Sequence, residues 1–426
     1  MTEAFVLLSM FVMIAIGLPI AVSILASALI GVWLLNGTPG FLNAALSLFD
    51  GATSFPLIAI PLFILAGALM NTGGISTRLI AFVSALIGFV RGGLAMVNVG
   101  VSLFFAEISG SAVADVAATG SVLIPAMKRK GYSPRFAAAL TSSSASLAII
   151  IPPSIPMILY GALSNTSIVQ LFVAGIVPGL MGASLLMGMC YYFAVRYDLP
   201  REESFSLSRL GRATREAVWA LMLPVIILGG IFGGIVTATE GAGLAVLAAL
   251  VIGLLVYREL NLRKLYNALV DGVLQTSVVM LLVASSAVLG LYLTETQMPQ
   301  KLAASITTLT DNPFLVLMII NVFLLFVGMV LHGAAAIILT VPIFMPLVNQ
   351  LGIDPVHFGI LLTLNIALGQ QTPPVASVLV TACSIARTDV WATTKTNLPF
   401  IAVLVFVLLI VTYIPAVPLW LGGVFY

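Results

Sequence analysis

Charge is scarce in this chain. Of 426 residues only 8% are Asp, Glu, Lys or Arg, against about 25% in an ordinary soluble domain, so a water-facing surface over the whole fold is excluded. Cysteine is nearly absent too: Cys190 and Cys383 both sit inside apolar runs and offer no disulfide framework. The only histidines are His332 and His357, and with no His-Glu-x-x-His a metalloprotease site of that type is excluded. No Gly-x-x-x-x-Gly-Lys-Ser/Thr loop occurs, which removes ATP hydrolysis by that route. The N-terminus lacks a basic region, and its apolar stretch is too long for a signal peptide, so it is expected to be a retained first span. What the chain has is apolar length. Hydrophobic residues make up 61%, and the runs 5–35, 168–195, 217–236 and 400–420 each reach the roughly 20 residues that cross a bilayer as helix.

A second abundance is internal repetition at a constant offset of 221 residues. Asp50-Gly51 matches Asp271-Gly272, Pro125 matches Pro346, and Gly131 and Pro134 match Gly352 and Pro355. The pair Pro152-Pro153 matches Pro373-Pro374, and Pro178 matches Pro399. Proline and glycine fix backbone geometry, so identical spacing predicts two copies of one fold, over about 17–189 and 238–410. Basic residues in short loops stay cytoplasmic. Lys128, Arg129, Lys130 and Arg135 place the 128–135 loop inside, and Arg196, Arg201, Arg209, Arg212 and Arg215 do the same for the 198–216 linker. The equivalent of the first loop, 349–356, has no basic residue and is expected outside. The repeats are therefore inverted, with 217–236 as the extra crossing that flips the second. Arg258, Arg263, Lys264, Arg387 and Lys395 then all fall inside. The predicted units are 1–197, the linker 198–216, and 217–426.

Each unit carries two predicted breaks. The apolar stretch 92–127 is interrupted at Glu107-Ile-Ser-Gly-Ser-Ala-Val-Ala-Asp115 and flanked on both sides by basic residues, Arg91 and Lys128, which suits a re-entrant helical hairpin. Its counterpart, about 313–348, is interrupted at Leu331-His332-Gly333 and flanked by Asp311 and Asn349. The next segment of each unit, 135–163 and 356–386, contains the double proline, which breaks a helix. Irregular backbone at membrane depth is tolerated where it is buried in protein or lines a wet cavity. There, freed carbonyls with Ser144, Asn365 and Thr372 supply neutral oxygens suited to Na⁺.

Ionisable groups at that depth are functional candidates. Glu107 and Asp115 flank the first tip; Asp115 is either a site residue or a carboxylate in the first turn of the returning helix. His332 is either a ligand or simply hydrogen-bonded. Glu240, in Thr237-Ala-Thr-Glu240, reads as a helix-start residue, and Lys395 as a cytoplasmic anchor; Arg387 is either a second such anchor or a residue that reaches an anionic substrate. The stretches 36–50 and 257–271 read as interfacial arm helices, as do 78–89 and 299–310. A passive channel lacks its ring of repeated pore-lining polar residues. A membrane serine protease pairing Ser111 with His332 gives no reason for inverted repeats.

With these elements in place the chain resembles, over its full length, the large membrane subunit of the TRAP transporters (tripartite ATP-independent periplasmic transporters). The resemblance rests on Phe55-Pro-Leu-Ile-Ala-Ile-Pro-Leu-Phe-Ile-Leu-Ala-Gly-Ala-Leu-Met-Asn-Thr-Gly-Gly74, Gly110-Ser-Ala-Val-Ala-Asp115, Ile151-Pro-Pro-Ser154, Ala238-Thr-Glu240, Gly352-Ile-Asp-Pro-Val-His-Phe-Gly359 and Gly369-Gln-Gln-Thr-Pro-Pro374. It implies an all-α polytopic membrane protein of the bacterial inner membrane, with scaffold and transport domains working as an elevator. It implies Na⁺-coupled uptake of an organic acid, with sialic acid as the leading expectation, and no enzymatic activity or cofactor. Its partners would be a small membrane subunit and a periplasmic substrate-binding protein; no nucleic acid is involved. By position, the implied cation sites take Ser109, Gly110, Ser111, Ser144, Ser146 and Pro152 in the first unit. In the second they take His332, Gly333, Asn365, Gly369, Gln371 and Thr372. Substrate contacts are expected at Ser111, Asp115, Pro153, Ser154 and Pro374. Relatives often carry an acidic residue where this chain has His332.

Overall fold

The computed structural model describes residues 2–199, 204–307, 310 and 312–425. The side chains of 2–4, 107–109, 302, 303, 306, 307 and 425 are outside the described set, as are Arg201 and Asp311. The described chain is helical. In order come α1 (Thr2–Ala15), α2 (Ile20–Asn36), α3 (Gly40–Thr53), α4 (Ala59–Thr72), α5 (Ile75–Ile87), α6 (Gly93–Ser109), α7 (Ala112–Asp115), α8 (Ser121–Arg129), α9 (Pro134–Ala145) and α10 (Ile155–Ser164). There follow α11 (Ile168–Arg196), α12 (Leu207–Phe232), α13 (Ala238–Val251), α14 (Leu262–Glu295), α15 (Met298–Thr307), α16 (Pro313–Val330), α17 (Gly333–Gln350), α18 (Pro355–Gly369), α19 (Ser377–Ala386) and α20 (Val390–Tyr413). Eight helices among the described residues are long and apolar enough to cross a membrane.

The 221-residue offset reappears in the helices. Shifting α6 gives 314–330, within α16, and shifting α7 to α8, with the π-helical turn Val116–Gly120 between them, gives 333–350, the span of α17. Shifting α9 and α10 gives 355–366 and 376–385, within or next to α18 and α19. Gly131 and Gly352 both take positive φ, at 87° and 64°, and both double prolines contain a cis bond. The two broken helices lie side by side and antiparallel, α9 against α19 and α10 against α18. Tyr160 Oη at the end of one donates to the Pro355 carbonyl at the start of the other, at 2.6 Å. The equivalent loops 131–133 and 352–354 therefore sit at opposite ends, as inversion requires. Cross-packing ties the copies together: α2 packs on α14 and its counterpart α13 on α4, while α10 packs on α17 and α19 on α7 with the π-helical turn.

Charge is sorted along the same axis. Lys128 Nζ donates to the Ala386 carbonyl at 3.1 Å, and Arg91 pairs with Asp198. Arg135 and Arg387 line one open cavity with Tyr197. The loops that the sequence places inside are thus gathered at one end.

Three expectations are corrected. The run 5–35 is not one span: Gly17 turns the chain at φ 92° and Pro19 starts a new helix, leaving two helices of 14 and 17 residues packed on each other. The linker is shorter than 198–216, because α12 already begins at Leu207, capped by Ser206 Oγ. The second arm helix is not separate, since α14 runs unbroken for 34 residues through Asp271. Its counterpart is interrupted between α3 and α4 by Ser54 and a 3₁₀ turn, Phe55–Ile58, that contains Pro56. The second unit has Ser277 at Pro56's position (56 + 221), so nothing breaks that helix.

Candidate functional site between two hairpin tips

Each hairpin turns where its sequence forbids continued helix. In the first, α6 ends at Gly110, which takes φ 57°. A Cβ there would meet the Pro153 carbonyl oxygen and the Ile155 nitrogen, each at 3.0 Å, so only glycine lets this tip rest on the double-proline break. In the second, Leu331 and His332 are extended. Gly333 packs so close to Gln370 that a Cβ would lie 2.7 Å from its Nε2. Val375 N donates to the Met329 carbonyl at 3.1 Å, joining this tip to its own break. Gly369 serves packing, since a Cβ would stand 2.4 Å from the Gly328 carbonyl carbon on α16.

The two tips face a common cavity of about 400 Å³. Gly110 to Ala114 form one wall and His332 to Ala334 another. The broken helices add Ile149, Ile155, Pro156 and Gln370, while α4 and α14 close it with Ile64, Gln275, Val278 and Val279. Ser111 and His332 are repeat partners (111 + 221 = 332). Each occupies the N-cap position of a returning helix in extended conformation, and neither side chain caps that helix.

Behind the tips lie buried polar clusters. In the first unit Ser144 Oγ donates to Asn98 Oδ1 at 2.7 Å, Asn98 Nδ2 donates to Thr141 Oγ1 at 2.7 Å, and Ser102 Oγ lies 3.3 Å from Ser144 Oγ. Asp115 is fully buried beside the Ser102 and Thr119 hydroxyls, yet among the described residues no donor reaches either carboxylate oxygen in full hydrogen-bonding geometry. It lies in the first turn of α7, where a carboxylate offsets the helix dipole, so the position fits the first-turn reading as well as the site reading. In the second unit Asn365, the repeat partner of Ser144, donates to Asn321 Oδ1 at 2.7 Å, and Asn321 donates to Thr412 Oγ1 at 2.9 Å. The buried Asn365 Oδ1 has no hydrogen-bond partner among the described residues. A third cluster bridges the units: Ser143 Oγ lies 2.6 Å from Gln371 Oε1 and 2.8 Å from Asn397 Oδ1.

The expected residues are thus divided. Gly110, Ser111, His332 and Gly333 reach the cavity. Ser144, Asn365 and Gln371 join buried clusters, while Ser146 and Thr372 bond back to their own helices, to the Ser142 and Leu368 carbonyls. Pro152 lies buried in the first break. The side chains of Ser109 and Glu107 are outside the described residues. Of the expected substrate contacts only Ser111 lines the cavity. Asp115 is turned into the protein, Ser154 Oγ is spent on the Ile149 carbonyl at 2.6 Å, and Pro153 and Pro374 are absent from the lining. Sequence reading missed Asn98, Ser102, Asn321, Asn397 and Gln275, while Gln370 falls inside the expected 369–372 stretch. Single amides in apolar runs were the available signal, but Asn98 shifted by 221 falls on Ile319, two residues short of Asn321.

A family model described as tripartite ATP-independent periplasmic transporter, DctM component, matches residues 7–417. The chain is 40% identical to a C4-dicarboxylate TRAP transporter large permease protein of Pseudomonas aeruginosa, over 89% of this chain and 90% of that protein. It is 39% identical to an isethionate TRAP transporter permease of Oleidesulfovibrio alaskensis, covering 96% of this chain but 65% of that longer protein. A sialic acid TRAP transporter large permease of Vibrio cholerae is 37% identical over 96% of both. Among solved structures, the Alcanivorax borkumensis YdaH transporter shares the fold at TM-score 0.65 and 16% identity, covering 95% of this chain and 97% of that one.

Proposed function

This chain belongs to the DctM component family of tripartite ATP-independent periplasmic transporters, and from that membership we propose that it drives Na⁺-coupled uptake of an organic acid across the bacterial inner membrane. It acts with a small membrane subunit and a periplasmic binding protein that delivers the acid. The cavity between the hairpin tips receives the substrate. Relatives of near-equal identity are named for C4-dicarboxylate, isethionate and sialic acid, so the sialic acid expectation stands as one member of a panel.

The observation that carries Na⁺ coupling is Asp115, a fully buried carboxylate with only the hydroxyls of Ser102 and Thr119 beside it and no charged partner among the described residues. Such a group is costly unless a cation or proton joins it. Asp115 with Ser102 and Ser144 offers the hard oxygen donors that an alkali cation takes, and the orphaned Asn365 Oδ1 offers a second set. Na⁺ bound there would supply the charge that holds the tips in place around the acid. The chain's own part is mechanical: α6–α11 with α16–α20 carry the cavity, while α1–α5 with α12–α14 form the group against which it slides. Uptake of labelled succinate, isethionate and N-acetylneuraminate into proteoliposomes holding both membrane subunits, with binding protein outside, tests this. Uptake of one acid is expected only with an inward Na⁺ gradient and the binding protein; uptake indifferent to both would refute it.

A further inference from the structure

The cavity between the tips is meant for an anion under the proposed function, yet no Lys or Arg among the described residues lines it. Its polar side chains are Ser111, Gln275, His332 and Gln370. Among the described residues no Asp or Glu faces it either, which leaves His332 as the one described lining residue able to carry charge or to donate and accept through a ring. At the N-cap of α17 a short polar side chain normally satisfies the first N–H groups; His332 does not. Its backbone carbonyl takes the Ala336 N–H at 3.0 Å, and no group among the described residues bonds its ring. The N–H groups of Gly333, Ala334 and Ala335 begin the helix and have no intrahelical acceptor. Gly333 and Ala334 line the cavity beside the ring.

We propose that His332 recognises the acid group of the substrate. Its imidazole N–H donates to one oxygen of the carboxylate or sulfonate, at the mouth of the first turn of α17, in place of a fixed cation. This reassigns His332 from the cation set to the substrate. Imidazole nitrogen suits transition metals better than a hard alkali ion, and the buried oxygen clusters lie behind the tips, away from the ring. Ser111, its repeat partner, holds the matching position across the cavity.

The proposal rests on the cavity being the substrate site, and two variants separate the two ideas. The membrane complex of this chain with its small subunit, purified with saturating Na⁺, is assayed for direct binding of labelled succinate, isethionate and N-acetylneuraminate. In His332→Ala, affinity for the acid that wild type binds best is expected to fall at least about tenfold, while His332→Gln, which keeps a donor, stays within about threefold. The Na⁺ concentration giving half-maximal binding stays unchanged in both, and all variants elute as monodisperse complexes. Val278→Trp, which fills the cavity from α14, abolishes binding. If Val278→Trp blocks binding but His332→Ala binds like wild type, the His332 proposal falls and the cavity assignment stands. A shift in Na⁺ dependence alone in His332→Ala returns that residue to a cation site and also overturns the proposal. Unaltered binding in Val278→Trp removes the cavity assignment, and the proposal with it.

Discussion

Asp115 shows how far a single residue was legible. Its depth in an apolar stretch marked it as functional, but its direction was not encoded: a carboxylate at the fourth position of a returning helix can face either wall. Packing turned it inward, against Ser102 and Thr119 rather than the cavity. Asp115→Asn is therefore expected to cut Na⁺-driven uptake by at least tenfold, the loss of a charged ligand being of order 1.5–3 kcal/mol, while direct acid binding at saturating Na⁺ changes less. Equal loss in both assays would place the residue at the substrate instead. Glu240 was fully legible, because Thr237 and Glu240 stand at capping-box spacing and form that box, with Thr237 N donating to Glu240 Oε2 at 2.8 Å. Ser146 and Thr372 bond the carbonyl four residues back, as hydroxyls in membrane helices often do, and Ser144 makes the same bond to the Leu140 carbonyl in addition to its cluster contacts. Nothing in the sequence tells such a serine from Ser144.

Elements were read best where proline and glycine punctuate the chain. Both hairpins and both broken helices follow from Gly110, Gly333 and the double prolines, residues whose effect is local. The close approach of Gly369 to Gly328 depends instead on a tertiary contact between α16 and α18, which no local signal announces. Gly369→Ala is expected to destabilise the protein by about 1–3 kcal/mol through overpacking, read as a lowered unfolding temperature in detergent. Gly110→Ala adds positive-φ strain to a backbone clash, and should abolish uptake at expression levels near wild type. Removing the hydroxyl that joins the two broken helices, in Tyr160→Phe, should cost about 1 kcal/mol by the same thermal assay. Helix continuity was harder to foresee. The second arm was expected to end near Asp271 because the first does, and the repeat misled where one copy lacks the proline that breaks the other.

At the scale of the molecule, inversion was legible from the placement of lysine and arginine alone, and the antiparallel broken helices agree with it. The exchange of partners between units, α2 on α14 and α13 on α4, was not legible, because apolar helices carry little address on their surface. If α6–α11 and α16–α20 move as one body, a cysteine replacing Ala114 should react with a membrane-impermeant maleimide from one face in wild-type background and from the other when substrate is trapped inside. The native Cys190 and Cys383 are buried, so replacing both by serine gives a clean background. Labelling from a single face under every condition would argue against such movement.

The unbroken α14 brings the surrounding lipid into play. Thirty-four residues make a rod of roughly 51 Å, while the hydrocarbon layer is about 30 Å thick. The rod's first turns carry Arg263, Lys264 and exposed Tyr266, and its middle lines the cavity through Gln275 and Val278. The part seated among headgroups and the wall of the cavity are thus one stiff piece. A thicker or thinner bilayer must tilt that piece, since its charged end stays at the water. Transport rate should accordingly pass through an optimum as acyl-chain length is varied in reconstituted vesicles, and a Gln275→Pro hinge should flatten that optimum by uncoupling the two ends.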